Sequence, residues 1–225
     1  MFGVEWKRDQ YVWLALGPPP RIYLGGITLS SDATSEHVRG APKAVYDSWN
    51  ALDLVPYGFR RERLEVWYVR PAVPFRDAGA SAELEIERVP PDDLVEFEAV
   101  SVRGFGGEGD EVPPGSIHPP NPDPRMTYWL GRVAGEGVCA AMSYETERAV
   151  GIFGVTTVTP ARGRGYATAL MRKAVRVETG KPAVLNTDTQ AAMRVYERLG
   201  FQRVGECPLW SPGPVRRTEP DGVRT

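Results

Sequence analysis

Only two cysteines, Cys139 and Cys207, occur in 225 residues. Two thiols make neither a disulfide scaffold nor a metal site. Both sit in strand-like apolar stretches, where small buried side chains in a reducing compartment are expected. Charge of one sign is also lacking: 27 Lys and Arg stand against 29 Asp and Glu, a net charge of −2. Composition therefore gives no push toward nucleic acid. No apolar run approaches membrane-spanning length, and the longest near the start is Tyr11–Leu16. A signal-peptide pattern is missing as well. The expectation is a cytoplasmic protein without nucleic-acid or membrane partners.

What is present concentrates in Gly151–Ala174, GIFGVTTVTPARGRGYATALMRKA. Ile152–Val158 is apolar and β-branched, as a buried strand should be. Arg162–Ala167 is a basic glycine turn. From Tyr166 onward, Ala167, Leu170, Met171, Ala174 and Val175 fall at helical spacing. Strand, glycine turn and helix together can hold a phosphate. Unpaired N–H groups at the helix start point outward, and the helix dipole adds partial positive charge. A Walker loop would need Gly-Lys-Ser/Thr, which is absent. A dinucleotide loop would need a third glycine or alanine where Thr168 stands.

Arg162, Gly165 and Ala167 form the pattern Arg-x-x-Gly-x-Ala. Further on, Ala183–Asn186 reads as a short strand, Thr187 or Thr189 as a cap, and Ala192, Val195, Tyr196 and Leu199 as one helix face ended by Gly200. The string Ala192–Phe201, AMRVYERLGF, follows at the matching distance, and Phe201 onward reads as a further strand. In letters, order and spacing these two segments resemble the GNAT superfamily, the Gcn5-related N-acetyltransferases, over about residues 82–210. The fold class this implies is α/β (α+β): a mixed, mainly antiparallel sheet flanked by helices.

The elements around the two motifs agree with that order. Ala82–Val89 alternates apolar and charged residues as a half-exposed strand. Pro90-Pro91-Asp92-Asp93 marks a helix start, with Leu94, Phe97 and Val100 on the buried face. Gly104–Arg125 is a long loop carrying Glu108, Asp110, Glu111 and His118, read either as solvated chain or as an acceptor-binding loop. Met126–Val133 and Gly137–Tyr144 form a hairpin around Ala134–Gly137.

Residues 1–80 are separate in this reading. Tyr11–Leu16 and Arg21–Leu29 suggest a strand pair around Pro18-Pro19-Pro20, Ala44–Leu54 a helix, and Leu64–Val69 a strand. Tyr57-Gly58-Phe59 repeats the outline of Leu199-Gly200-Phe201. Residues 1–80 are therefore either a degenerate GNAT-like half that binds no cofactor or an unrelated extension of the sheet. Residues 81–210 form the acetyltransferase domain, and 211–225 a flexible tail.

The resemblance implies transfer of an acetyl group from acetyl-CoA to a primary amine by direct attack on the thioester, without a metal. It implies a pyrophosphate cradle from the amides of Gly163, Arg164, Gly165, Tyr166, Ala167 and Thr168, with Arg162 and Arg164 as charge partners. It implies a pantetheine edge over Thr156–Thr159, so Thr157, Val158 and Thr159 contact the cofactor, and the Val158 amide is assigned to the thioester oxygen. Pro160 lies two residues before Arg162 where the family has it three before, which leaves that register open by one residue. Tyr196 matches the family's acid for the departing thiolate, a donation about 2 kcal/mol uphill for an ordinary phenol. Thr189 replaces the Asn often found seven residues before that Tyr. Many relatives place a glutamate on the strand before the loop, yet Ala149–Val158 contains no acid. Glu145 is therefore ranked first as base, with Glu147, Glu111 and His118 nearby in sequence or in the long loop.

Asp92, Asp93, Glu96, Glu98, Glu108, Asp110 and Glu111, opposed only by Arg103, give the first helix and the loop a negative bias. A cationic amine acceptor is expected, whether small molecule, peptide or protein. A homodimer is compatible with the sequence. The alternative function is an acyl-CoA sensor with this fold and no turnover.

Overall fold

The computed structural model describes residues 4–20, 23–75, 82–106, 109, 112–118 and 123–213. Within them the chain forms β1 (Trp6–Arg8), β2 (Val12–Ala15), β3 (Gly26–Thr28), α1 (Ser35–Val38), β4 (Val45–Tyr46), β5 (Phe59–Arg70), β6 (Glu85–Val89), α2 (Val95–Phe105), β7 (Met126–Val133), β8 (Glu136–Glu145), β9 (Val150–Thr157), α3 (Tyr166–Ala174), β10 (Ala183–Thr187), α4 (Gln190–Arg198) and β11 (Gln202–Pro212). All eleven strands join one sheet in the order β1-β2-β3-β4-β11-β5-β10-β9-β8-β7-β6. Only β3/β4 and β9/β10 are parallel pairs.

Two stretches of the order read alike once the outermost strand β6 is set aside. From β1 inward it runs antiparallel, antiparallel, parallel, and from β7 inward it does the same. At the centre the last strand of each half has changed sides: β11 lies beside β4, and β5 lies beside β10. Left-handed Gly58 (φ 80°) precedes β5 as left-handed Gly200 (φ 86°) precedes Phe201 and β11. The division near residue 80 is thus not a division of the sheet.

Register assigns the faces. Tyr128, Met142 and Phe153 stand opposite one another on one face. Ile152, Val150, Ala183, Leu185 and Tyr68 share the other. On the first face, Phe97 of α2 meets Tyr128 edge-on at 5.2 Å. On the second, Tyr196 of α4 meets Tyr68 at 6.3 Å. Tyr128–Gly131 are buried without a break, so helices cover β7 on both sides. Gly104 lets α2 lie close to β9, since a Cβ there would fall 2.1 Å from Thr156 Oγ1.

Two expectations need correction. No helix forms over Ala44–Leu54. Val45 and Tyr46 pair with β3 and β11, and buried Asp47 accepts N–H from Trp49 (3.4 Å) and Leu52 (2.8 Å). A side chain therefore takes amides that a helix would use. The β7–β8 turn is also tighter than expected, with Ala134 and Gly135 both at positive φ, as the twist of a two-residue hairpin demands.

Candidate active site

β9 and β10 pair only at Val150–Ala183 and Gly151–Val184. Beyond Gly151, β9 stays with β8 while β10 follows β5. The opening leaves one edge of β9 unpaired from Ile152 on. Near its middle β9 carries a register shift, with Gly154 at φ 59°.

Alternation decides which groups line the edge. Val158 N–H donates to Val138 O at 3.0 Å, so its amide belongs to β8. Peptides alternate sides in an antiparallel ladder, so Thr157 faces the opening. The sequence-based choice of the Val158 amide is thereby shifted by one residue. Thr159 has left the edge and starts a short 3-10 turn, Thr159–Ala161.

The loop then turns at Gly163 (φ 80°) and Gly165 (φ 81°), angles that disfavour any side chain. Apart from the adjoining residues of the chain, no atom lies within 4 Å of where a Cβ would sit on either, so the space in front of both is open. The amides of Gly163, Arg164, Gly165, Tyr166, Ala167 and Thr168 have no hydrogen-bond partner among the described residues. Six consecutive free N–H groups at the start of α3, with the dipole behind them, make an anion cradle. Tyr166 anchors the helix start, its hydroxyl donating to Glu83.

Arg162 does not serve the cradle as a charge. Its Nε donates to Thr157 O at 3.1 Å and its Nη2 to Gly104 O at 2.8 Å, which braces the end of β9 against the end of α2. Arg164 remains as the cationic side chain within the turn.

Tyr196 is 6% exposed, packed against Tyr68 and Phe201. Burial pushes its phenol up to about 12. Glu145 stands at the other end of β9, paired with Val150. Lys181 Nζ (2.6 Å) and Arg176 Nη1 (2.7 Å) hold its carboxylate below the usual range, the Lys181 hydrogen bond contributing most. From Val150 to Thr157 is about 23 Å along the strand, so Glu145 is not brought to the Thr157 end of the opening, where a base would act, and the expectation of Glu145 as base is corrected.

The acidic bias also changes meaning. Glu98 is 2% exposed and accepts N–H groups from Gly115 (2.5 Å), Ile117 (2.5 Å) and His118 (3.3 Å). It pins the loop after α2 rather than facing an acceptor. The sequence held the signal, because Glu98 lies on the stripe of Leu94, Phe97 and Ser101. Glu96 is engaged by Arg132 at 2.5 Å. The His118 ring is buried against Phe97 at 5.2 Å, and burial lowers its pKa. Glu108, Asp110 and Glu111 lie outside the described residues. Among the described residues no His, Cys, Asp and Glu side chains group to hold a metal, and no helix is long and apolar enough to cross a membrane.

An opened parallel strand pair, with β9 bulged, and an amide cradle at the start of the next helix make up the candidate site. The family description "Acetyltransferase (GNAT) domain" matches residues 124–203. That match takes in β7 to α4 and the start of β11, so this segment is similar to the GNAT superfamily. Zebrafish (Danio rerio) N-acetylaspartate synthetase is 33% identical over 97 residues, which is 40% of this chain and 34% of that protein. The match thus spans about a third of that relative's length. A conserved protein of unknown function from Staphylococcus epidermidis has a TM-score of 0.70 at 14% identity, covering 96% of each chain. A GCN5-related N-acetyltransferase from Kribbella flavida has a TM-score of 0.66 at 14% identity, covering 94% of this chain and 90% of its own. At such identities the two structures share the fold.

Proposed function

We propose that the protein transfers an acetyl group from acetyl-CoA to a primary amine. The observation that carries this is the cradle of six free amides beside the unpaired edge of β9. The residues fit a CoA thioester: the cradle suits its pyrophosphate, and the open β9 edge suits the amides of its pantetheine arm. When bound, that group supplies the activated acyl carbon. The Thr157 N–H, on the open edge of β9, would donate to the thioester oxygen as charge builds there. The amine nitrogen bonds to that carbon, the carbon–sulfur bond breaks, the sulfur takes a proton and the amine loses one to water.

Tyr196 acts on the sulfur as a hydrogen-bond donor. With its phenol near 12, full transfer to a thiolate of ordinary pKa would cost about 5 kcal/mol, more than an unperturbed phenol requires. A donated hydrogen bond stabilises the leaving sulfur without that cost.

We infer further that residues 1–80 are a degenerate half of the same kind. The shared strand order supports this, and α1 at Ser35–Val38 is too short to build a second cradle. The zebrafish relative is named for an acetylated amino acid, which makes amino acids a natural first acceptor set. Release of free CoA from acetyl-CoA in the presence of an amine panel tests the activity. Release that needs both the amine and the protein supports it. Binding of acetyl-CoA without release from any amine would favour a sensor.

A further inference from the structure

The face of the sheet that carries Phe153 also carries a polar cluster on β5, beside the opening. Glu65 is a carboxylate in mid-sheet, 5% exposed. Arg63 Nε donates to it at 2.7 Å, Asn186 Nδ2 at 2.5 Å, and the Tyr46 hydroxyl also bonds it. Trp67 stands edge-on to Tyr46 at 6.5 Å. Val66 pairs with Thr187, the last residue of β10. Arg63 therefore lies on the part of β5 that runs past the end of β10. Asp188, the next residue after β10, approaches Arg63 Nε at 3.6 Å. The parallel pair β9/β10 opens toward this same end, where the cradle loop begins.

Glu65 is a device for fixing Arg63. A buried carboxylate must be paired, and here the pairing uses the side of the guanidinium that faces the sheet. Both carboxylate contacts fall on Nε, and the Arg63 side chain is 44% exposed. Arg63 also bonds Tyr46, and its nearest approach to either carboxylate is through Nε rather than the Nη pair, the planar fork that matches a carboxylate. Asp188 is 46% exposed and presents a negative group a few ångströms away. A positive fork and a carboxylate at that spacing complement a zwitterion with ammonium and carboxylate one carbon apart.

We propose that Arg63 binds the carboxylate of the acceptor and Asp188 its ammonium, so that the acceptor is a free amino acid or a small amine of that form. This rests on the acetyltransferase reading above. It gives the crossed position of β5 a role: the N-terminal region supplies the acceptor contact of the C-terminal site. It also replaces a purely cationic acceptor, because the acids of α2 are already engaged.

The test compares L-amino acids with their carboxamides, for instance L-alanine with L-alaninamide across the common side chains, by CoA release. In parallel, the same compounds are titrated calorimetrically into protein saturated with CoA. The wild type is expected to favour the acid at least 10-fold in kcat/KM for the accepted side chain. Arg63→Met should bring that ratio to about 1, judged by the size of one bidentate pair. Arg63→Lys keeps Glu65 neutralised but removes the fork, and should lose most of the preference while remaining folded. Equal use of acid and amide by the wild type, or equal loss on both in the variants, overturns the proposal. Binding of the acid that depends on Arg63, without turnover of any compound, upholds the proposal and sinks the acetyltransferase reading instead. Failure of the acid to bind sinks the proposal even if amides are turned over.

Discussion

Arg162 Nη2 donates to the carbonyl of Gly104 at 2.8 Å, and its Nε donates to Thr157 O at 3.1 Å. One side chain thus ties the last turn of α2 to the end of β9, next to the peptide assigned to the thioester. Arg162→Ala removes two side-chain hydrogen bonds to carbonyls, worth about 1–2 kcal/mol together. The expected outcome is a lower melting temperature together with weaker acetyl-CoA affinity. Arg164→Ala should weaken affinity while leaving the melting temperature unchanged. Calorimetry and thermal melts on both variants check this, and equal melting temperatures for the two would contradict the bracing role.

Tyr196→Phe removes the proposed hydrogen bond to sulfur and keeps the ring on Tyr68. A hydrogen bond to a charged group supports an expected fall in kcat of about 10- to 100-fold, with KM for acetyl-CoA little changed. The same variant has a stability signature. The Tyr196 phenol is raised from 10.0 to about 12 by burial. Its stabilising contribution is complete below pH 10 and is lost as pH rises toward about 12. Alkaline melts should therefore fall more steeply for the wild type than for Tyr196→Phe over that window.

Glu145→Gln separates a structural acid from a catalytic one. The Glu145 carboxylate is held below 4.5 by Lys181 first and by Arg176. A depressed carboxylate stabilises the fold above its unfolded value, and that contribution disappears as pH falls through the folded value. The variant should melt earlier than the wild type at pH 7, and the gap should close in acid. Turnover per folded molecule should stay within about twofold. A large loss of kcat with unchanged stability would restore Glu145 as the base.

Much of this was legible in the residues. The β-branched run at Ile152–Val158, the glycines at 163 and 165 and the apolar stripe of α3 are local signals, and local chemistry shaped those elements. The hairpin of β7 and β8 was legible for the same reason. What sequence could not reveal depended on distant partners. Glu145 meets Lys181 and Arg176 only after folding. Val158 loses its free amide to Val138 because of the β8 register. β5 enters the sheet between β10 and β11, a placement that no local pattern in Phe59–Arg70 encodes. The Ala44–Leu54 helix failed because Asp47 offers its own oxygens to nearby amides.

The central claim is that the turn from Gly163 to Thr168 holds the pyrophosphate of acetyl-CoA. The most direct measurement is calorimetric titration of acetyl-CoA into the wild type and into Gly165→Glu, with the fold of each checked by circular dichroism. The substitution puts a negative side chain into the open space before the cradle, on a backbone at φ 81°. The account predicts binding by the wild type and none by the folded variant. Undiminished binding by the variant, or none by the wild type, would contradict it.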